Sequence, residues 1–298
     1  MKANKNYRFE KIEAVRSDGK VVRGRLYLPL DENKTFRTAI FAHGFAGCYR
    51  DLMHYGPRFA EEGLALCLFD FCGGSPLSAS DGTMMDMTVL TEYDDYLVML
   101  RKLKEHPQVD ENYVFLMGES QGGYVASLVA ARHPEESSGM VLWYPSIWML
   151  PKAIDYAGLT DKFPGIQDLY KEELPDSAES ANKEKLEMEK ASKISIDQIK
   201  ASGDIGDLVH IWGFDMKRSY IDDMLKVDME REISSYPKDV LIIQGDKDEI
   251  VPLGITYKTV RTFPHAQLKV IPGGGHGFEG DGSLAAGNAS ISYIKNFR

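Results

Sequence analysis

Residues 114–123 read VFLMGESQGG, an apolar run that leads directly into a serine flanked by glycines. The apolar residues suit a buried strand, and the stretch over residues 123–132 has the composition and periodicity of a helix. Between them, Gly118 and Gly122 permit a cramped turn that lifts Ser120 to the edge of a sheet in strained backbone geometry. The order of strand, tight turn and helix therefore predicts a reactive serine. A serine at the start of a helix that serves only as an N-cap is the alternative.

Short apolar runs recur along the chain and alternate with segments of helical character. Continuous runs bounded by turn residues are typical of strands that are buried on both faces of a parallel sheet. With an opening hairpin, they give eight predicted strands, over residues 10–16, 21–28, 38–42, 64–71, 113–117, 139–144, 240–243 and 268–271. Helices are predicted over residues 51–62, 87–104, 123–132, 257–261 and 284–297. This alternation predicts an α/β fold with a mostly parallel sheet and flanking helices.

The charge of the chain limits the partners that it can bind. Its 298 residues include 35 Lys and Arg against 45 Asp and Glu, which gives a net charge of −10. Nucleic-acid binding needs a basic face that replaces the counterions of the phosphates, and docking on anionic membranes needs basic segments. We therefore expect neither a nucleic-acid partner nor a membrane partner.

Three further features indicate where the protein works. The longest apolar stretch, residues 139–151, is far shorter than the roughly 20 residues of a membrane-spanning helix. The first residues, MKANKNYRFEKIEAV, lack the apolar core of a signal peptide. The cysteines, Cys48, Cys67 and Cys72, have no paired spacing and are expected to be reduced thiols. We predict a cytoplasmic protein.

A long segment separates the sixth and seventh predicted strands. It is far longer than a simple crossover needs, and it divides the chain into a core of residues 1–145 and 236–298 and an insertion of residues 146–235. The middle of the insertion, residues 168–200, is charge-rich and helical in character, and aromatic residues lie towards both ends. We interpret the insertion as a helical lid over the carboxyl edge of the sheet, where open α/β sheets bind ligands. A solvated helical decoration is the alternative.

A serine hydroxyl is a poor nucleophile near neutral pH and needs a base, which in turn needs an acid to orient it. Among seven histidines, His276 lies in the glycine-rich loop GGGHGF directly after the last strand, so it is the predicted base. The acid should follow the seventh strand, where Asp246, Asp248 and Glu249 are found. Asp246 suits a turn cap, and we select Asp248. The order Ser120, Asp248, His276 is typical of enzymes whose serine lies on a strand–turn–helix elbow.

The negative oxygen of a tetrahedral intermediate needs two hydrogen-bond donors. One predicted donor is the backbone N–H of Gln121, the residue after Ser120. The other is the backbone N–H of Phe45, in the segment HGFAG after the third strand, where Gly44 lets the backbone approach closely. A simple turn is the alternative interpretation of that segment.

Together these motifs resemble those of a known family from about residue 10 to the end of the chain. The chain resembles the α/β-hydrolase superfamily and, within it, the cinnamoyl (feruloyl) esterase-type bacterial serine hydrolases. The matching motifs are HGFAG at 43–47, FDFCGGS at 69–75, MTVL at 87–90, GESQGG at 118–123, DEIVP at 248–252 and GGHGF at 274–278. The resemblance implies an α/β-hydrolase fold with a lid inserted after strand 6, which in those esterases shapes the acyl pocket. Ser120 speaks against the haloalkane dehalogenases, which use an aspartate nucleophile.

The motifs and the resemblance predict a serine carboxylesterase that forms an acyl-enzyme with a small-molecule ester, with hydroxycinnamate esters as a candidate substrate class. No metal or organic cofactor is expected, because no cluster has zinc-site spacing and the glycines at 73 and 74 lack a P-loop lysine. A peptidase or amidase, a general short-chain acyl esterase and a non-catalytic binding module on the same scaffold are the alternatives.

The candidate substrate-binding residues are mostly aromatic, because a flat phenolic acid would stack on aromatic rings. The aromatic candidates in the insertion are Trp148, Trp212, Phe214 and Tyr220, and Asp155 or Tyr156 is a candidate to bond a ring hydroxyl. The alternative is that these rings form the insertion's own core.

Overall fold

The computed structural model describes residues 6–170, 172 and 207–298. The strands within these residues are β1 (Tyr7–Val15), β2 (Val21–Pro29), β3 (Phe36–Ala42), β4 (Ala65–Asp70), β5 (Val109–Glu119), β6 (Gly139–Trp143), β7 (Leu208–Ile211), β8 (Phe214–Lys217), β9 (Val240–Gly245) and β10 (Ala266–Ile271). The α-helices are α1 (Tyr49–Leu52), α2 (Tyr55–Glu61), α3 (Val89–Lys104), α4 (Ser120–Arg132), α5 (Leu150–Tyr156), α6 (Ser219–Leu225), α7 (Met229–Ser234), α8 (Leu253–Thr262) and α9 (Gly280–Asn296). Short 3-10 turns span Met84–Asp86, Pro134–Glu136, Thr160–Lys162 and Ile166–Tyr170.

Eight of these strands form one sheet in the order β1-β2-β4-β3-β5-β6-β9-β10. β2 pairs antiparallel with β1 and β4, and all other neighbours are parallel. Every residue of β4, β6 and β9 is buried, as expected for strands that helices cover on both faces. The eight-stranded, mostly parallel sheet predicted from the sequence is confirmed.

The two faces of the sheet pack against different helices. Because neighbouring residues of a strand point to opposite faces, Leu116 of β5 packs with residues of α3 and α4. Phe115 and Met117, on the other face of β5, pack with residues of α2 and α9. The chain is thus a three-layer α/β structure, and the carboxyl ends of β3, β5, β6, β9 and β10 meet at one edge of the sheet.

Several predicted helices differ from the observed ones, and α8 and α9 each begin four residues earlier than predicted. The predicted helix over residues 51–62 is divided into α1 and α2, and α4 begins at Ser120 rather than at Gly123. α4 starts early because Gly122 packs tightly against the end of β3 and Gly123 packs against Pro145, so local contacts and not helix propensity set its first turn.

The insertion after β6 is not purely helical. Its described part holds α5, α6 and α7, but also β7 and β8, which form an antiparallel two-stranded sheet. Trp212 and Gly213 connect these strands, with φ values of +49° and +87°. Two positive φ values suit a tight hairpin turn, but tryptophan rarely adopts a positive φ, so this residue pair did not predict a turn. The segment predicted to be charge-rich and helical lies largely outside the described residues.

No helix in the described part of the chain combines the length and the apolar character that crossing a membrane requires. Cys48, Cys67 and Cys72 are all buried free thiols.

Candidate active site

Ser120 lies where β5 passes into α4, with a φ of +49° in the left-handed region that non-glycine residues rarely adopt. The turn is fixed by close contact: a Cβ on Gly122 would lie 2.4 Å from the carbonyl oxygen of His43, so only glycine fits there. The backbone N–H of Ser146 donates to the carbonyl of Ser120 over 2.9 Å. The strained turn therefore holds the hydroxyl of Ser120 at the carboxyl edge of the sheet.

The structure brings the three predicted triad residues together from the turn between β5 and α4 and from the loops after β9 and β10. The Oγ of Ser120 lies 3.0 Å from Nε2 of His276. Nδ1 of His276 lies 2.9 Å from Oδ2 and 3.2 Å from Oδ1 of Asp248. With a proton on Nδ1 that bonds the carboxylate, Nε2 is free to accept the proton of the serine hydroxyl.

The carboxylate of Asp248 is held from several sides. Its Oδ1 accepts hydrogen bonds from the backbone N–H groups of Ile250 and Val251, over 2.9 and 2.8 Å. Its Oδ2 accepts one from the side-chain amide of Gln244, over 2.9 Å. These donors fix both oxygens in a residue that is only 5% exposed, so the carboxylate is oriented before it meets His276.

The rejected acid candidate Asp246 has a different place. Its Oδ1 accepts a hydrogen bond from the backbone N–H of Gly273 over 2.7 Å, in the turn that precedes the His276 loop. This is the turn-capping role that the sequence suggested for Asp246.

Two polar residues of this centre were missed by the sequence analysis. Gln244, which orients Asp248, is itself held by the hydroxyl of Thr256, over 2.7 Å. A polar residue in the otherwise apolar run of β9 was a signal that could have revealed it. The Oγ of Ser146 lies 3.0 Å from the Oγ of Ser120, and no sequence pattern marks it.

The loop after β3 lies against Ser120, as the predicted oxyanion donors require. A Cβ on Gly44 would lie 3.1 Å from the Cβ of Ser120, so the backbone of this loop passes very close to the elbow. His43, which is fully buried, accepts a hydrogen bond at Nε2 from the backbone N–H of Phe71. Its Nδ1 therefore carries the proton and donates to the carbonyl of Gly44 over 2.8 Å. His43 thus stiffens the turn that carries Phe45.

A second link to this loop comes from Glu119. Its Oε2 accepts a hydrogen bond from the hydroxyl of Tyr144 over 2.6 Å, and its Oε1 accepts one from the backbone N–H of Gly44 over 3.3 Å. Burial raises the pKa of Tyr144 well above its usual range, so its hydroxyl remains a donor. The ring of Tyr144 also lies 4.6 Å from that of His276. Glu119 and Tyr144 therefore join the loop after β3 to the predicted base.

A cavity of about 490 Å³ opens above Ser120, and Phe45, Gln121 and His276 are among its lining residues. The insertion contributes one part of its wall, comprising Ser146, Trp148, Met149, Lys152, Tyr170 and Trp212. The Nε1 of Trp148 donates to the hydroxyl of Thr259 over 3.1 Å, which satisfies its polar atom within the protein. The insertion side of the cavity is thus mainly aromatic, with Met149 and the polar residues Ser146 and Lys152 beside the rings.

The predicted substrate-binding residues do not all reach this cavity. Trp148 and Trp212 line it, whereas Phe214, Tyr220 and Asp155 are not among its described lining residues. Phe214 and Tyr220 lie behind Phe45, with ring centroids 5.8 and 6.0 Å from it. Asp155 is exposed and accepts a hydrogen bond from the neighbouring hydroxyl of Thr160 over 3.2 Å. These three side chains therefore belong to the surroundings of the cavity and not to its wall.

In the described residues, no group of three or more His, Cys, Asp or Glu side chains is arranged to hold a metal ion.

Comparison with known structures places the fold. Est1E from Butyrivibrio proteoclasticus, solved with ferulic acid bound, matches with a TM-score of 0.71 at 21% identity, over 95% of this chain and 98% of that one. The esterase EaEST from Exiguobacterium antarcticum matches with a TM-score of 0.63 at 17% identity, over 95% of this chain and 99% of that one. At such low identity these matches establish a shared fold.

Comparison with sequences places the family. A protein of Caulobacter sp. (strain K31) that carries the name carbamate hydrolase RutD is 31% identical over 91 residues. This match spans only 30% of the present chain and 32% of RutD. The family model for serine aminopeptidases, S33, matches residues 33–282, which is most of the chain. The protein is therefore a hydrolase of the α/β-hydrolase fold, and it belongs to the serine aminopeptidase S33 family.

Proposed function

We propose that this protein is a serine carboxylesterase that hydrolyses carboxylic esters through an acyl-enzyme. The observation that carries the proposal is the unbroken contact from Ser120 through His276 to Asp248, with 3.0 Å and 2.9 Å between the bonded atoms. A hydroxyl in contact with an oriented imidazole is the arrangement that makes serine nucleophilic.

In the acylation half, Nε2 of His276 removes the proton of Ser120 while its Oγ attacks the ester carbonyl carbon. Asp248 keeps the imidazole in the required tautomer and stabilises the imidazolium that forms. The backbone N–H groups of Phe45 and Gln121 bind the negative oxygen of the tetrahedral intermediate. His276 then gives its proton to the departing alkoxide, which leaves as the alcohol, and Ser120 retains the acyl group.

In the deacylation half, a water molecule takes the place of the alcohol. His276 removes a proton from the water as its oxygen attacks the acyl carbon, and the same two backbone donors bind the new oxyanion. The bond to Oγ then breaks, His276 returns the proton to Ser120, and the carboxylic acid leaves.

We propose hydroxycinnamate esters as the substrate class. Trp148 and Trp212 in the cavity wall suit stacking on a flat phenolic ring, because aromatic rings in offset or edge contact attract each other. The similarity of the fold to Est1E, which was solved with ferulic acid, supports the same class. In this proposal, residues 146–235 form the lid that shapes the acyl side of the cavity.

A peptidase or amidase is the second candidate, and the description of the matching family model as serine aminopeptidase favours it. The two candidates share acylation chemistry but differ in the leaving group, because an amine must be protonated as it departs. An amino-acid anilide and an aryl ester with the same acyl group therefore separate them.

The proposal is tested with a panel of methyl hydroxycinnamates, short aliphatic methyl esters and aminoacyl anilides. We expect the hydroxycinnamates to have the highest kcat/KM. Higher kcat/KM for the aliphatic esters would retain the esterase and reject the aromatic preference, and turnover of the anilides alone would favour the peptidase.

The nucleophile is tested with Ser120→Ala, which should reduce ester turnover to background. Ser127→Ala is the matched control, because Ser127 lies in the same helix and its hydroxyl donates only to the carbonyl of Gly123, over 2.7 Å. A serine-directed phosphonate should label the wild type on Ser120, as read by mass spectrometry. Undiminished turnover by Ser120→Ala, or an adduct on another serine, would contradict the proposal.

We also propose a cytoplasmic location, because three buried free thiols suit a reducing compartment.

A further inference from the structure

The side chain of Gln121 is enclosed, although its backbone is the proposed oxyanion donor. The residue is 1% exposed and lies in the first turn of α4, where backbone N–H groups have no partner within the helix. Its side chain therefore points into the protein while its N–H group remains available at the elbow. Whatever holds this side chain also fixes the direction of the N–H group.

Two buried groups on different elements hold that side chain. The amide Nε2 of Gln121 donates to Oε2 of Glu92, in α3, over 2.7 Å. The hydroxyl of Tyr220, in α6 of the insertion, donates to Oε1 of Gln121 over 2.6 Å. Both partners are almost fully buried, so water cannot replace either hydrogen bond easily.

The insertion also contacts the other proposed donor, Phe45. The ring of Phe45 lies 5.1 Å from that of Trp212 and 6.0 Å from that of Tyr220. Tyr220 thus contacts the side chains of both residues whose backbone N–H groups are proposed to bind the oxyanion.

The helix that carries Tyr220 is itself anchored to α3. Thr88, the N-cap of α3, donates its hydroxyl hydrogen to Oδ2 of Asp223 over 2.6 Å. Asp223 lies one turn after Tyr220 in α6, so the hydrogen bond at Thr88 fixes α6 relative to the helix that carries Glu92. The hydroxyl of Tyr220 is therefore presented to Gln121 from a fixed position.

We infer that Tyr220 is a positioning residue for the oxyanion hole, so that the insertion completes the catalytic centre as well as covering the substrate. This inference rests on the proposed function, because it concerns the donor that stabilises the tetrahedral intermediate. Preorganised donors are effective because they need no rearrangement as charge develops. A Gln121 side chain held from two sides supplies that preorganisation.

The variant Tyr220→Phe tests the inference, because it removes one hydroxyl and keeps the ring that packs on Phe45. We expect kcat for an aryl ester to fall about tenfold, less than the 10²–10³-fold of deleting an oxyanion donor, with KM changed less than about twofold. Affinity for an aryl trifluoromethyl ketone should fall by a similar factor, because its adduct with Ser120 places an oxyanion in the hole.

The matched control is Tyr236→Phe. Tyr236 is also fully buried, and its hydroxyl meets that of Ser137 over 3.5 Å, in a part of the core that does not touch the cavity. Its kcat and its affinity for the trifluoromethyl ketone should equal those of the wild type. Equal kcat values for Tyr220→Phe and Tyr236→Phe, or a lower kcat of Tyr220→Phe without weaker trifluoromethyl ketone binding, would overturn the inference.

A second pair of variants alters Glu92, the other hydrogen-bond partner of the Gln121 side chain. Glu92→Gln keeps an acceptor for the amide of Gln121 and should retain kcat, whereas Glu92→Leu removes the acceptor and should lower kcat without a matching change in KM. Equal kcat values for these two variants would also contradict the inference. If the wild type hydrolysed no ester, the proposed function would fail, and the trifluoromethyl ketone would still compare the two tyrosine variants.

Discussion

The two walls of the cavity are built by different means. The core wall carries Ser120 and His276 at the carboxyl ends of strands, with Asp248 behind His276, and hydrogen bonds fix each of these side chains. The insertion wall, represented by Trp148 and Trp212, is held mainly by packing of rings and apolar side chains, and the hydrogen bond of Trp148 to Thr259 adds to this packing. The distances of the core wall are therefore set by directional bonds, whereas the shape of the insertion wall follows from the size of its side chains.

In the proposed mechanism, this difference separates the reaction from the choice of substrate. Changes on the core wall should lower kcat for every substrate, because they disturb groups that meet the reacting atoms. Changes on the insertion wall should alter KM for large acyl groups alone. Tyr220 and Ser146 are the exceptions, because they belong to the insertion but contact Gln121 and Ser120 of the core.

The largest expected effect is that of Asp248→Asn, behind His276 of the core wall. The new amide would place its donor where Oδ2 now faces Nδ1 of His276, so the imidazole would move its proton to Nε2 and could no longer accept one from Ser120. We expect kcat to fall about 10⁴-fold for all esters at neutral pH, as measured by steady-state kinetics. Asp246→Asn is the control, because its carbonyl can still accept from Gly273. A similar loss in both variants would show that the effect is structural.

The next effect concerns stability, at the junction of α3 with the elbow. Burial raises the pKa of Glu92 from 4.5 to about 8, although the amide of Gln121 opposes the shift. Between these pH values the folded chain keeps a proton that the unfolded chain loses, so the free energy of unfolding should fall as pH rises. The slope from this group is at most about 1.4 kcal/mol per pH unit.

Glu92→Gln should remove that slope. Urea unfolding at pH 5, 6.5 and 8 should show the variant gaining stability relative to the wild type as pH rises. Glu61→Gln, at an exposed position of α2, is the control and should follow the wild type. Parallel pH profiles of wild type and Glu92→Gln would contradict the prediction.

A smaller effect is expected from Trp212→Ala on the insertion wall. Loss of the indole removes a stacking surface, so KM for a methyl hydroxycinnamate should rise about tenfold while kcat for a short aliphatic ester stays unchanged. The exposed Tyr156, whose ring lies 5.3 Å from that of Trp212 but does not line the cavity, supplies the control Tyr156→Ala. Equal losses of kcat/KM for large and small esters would contradict the separate roles of the two walls.

The smallest effect should come from Ser146→Ala, where the two walls meet. The change removes the hydroxyl that lies 3.0 Å from Oγ of Ser120 but keeps the backbone N–H bond to the carbonyl of Ser120. We expect kcat/KM to fall about threefold for small and large esters alike, the value of one modest hydrogen bond. A rise in kcat/KM would mean that Ser146 restrains the nucleophile instead of assisting it.

Much of the core wall could be predicted from sequence because its signals are local. The apolar run before Ser120 and the glycines after it fix a strand, a turn and a helix within ten residues. His276 follows the last strand, and its position near Ser120 can then be predicted because the carboxyl ends of parallel strands meet at one edge of the sheet. Such patterns can be recognised in a sequence without knowledge of tertiary contacts.

The insertion wall could not be predicted in the same way. The β7–β8 hairpin has strands of only four residues each and a turn that begins with tryptophan, so neither strand length nor turn composition marked it. Tyr220 was expected to bind substrate because it is aromatic, but its hydroxyl is bonded to a residue 99 positions earlier in the chain. Contacts of that range depend on packing that local patterns do not encode.

The turn at the tip of the hairpin has a practical consequence for redesign. A tryptophan held at a φ of +49° carries a backbone cost of roughly 1–2 kcal/mol that asparagine or glycine would largely avoid. Substitutions that enlarge an acyl pocket normally lower the thermal stability of an enzyme, because they remove a bulky side chain that packs against its neighbours. At Trp212, relief of the backbone strain in the turn offsets part of that loss of stability. The hairpin tip is therefore a favourable first position for engineering variants that accept bulkier acids.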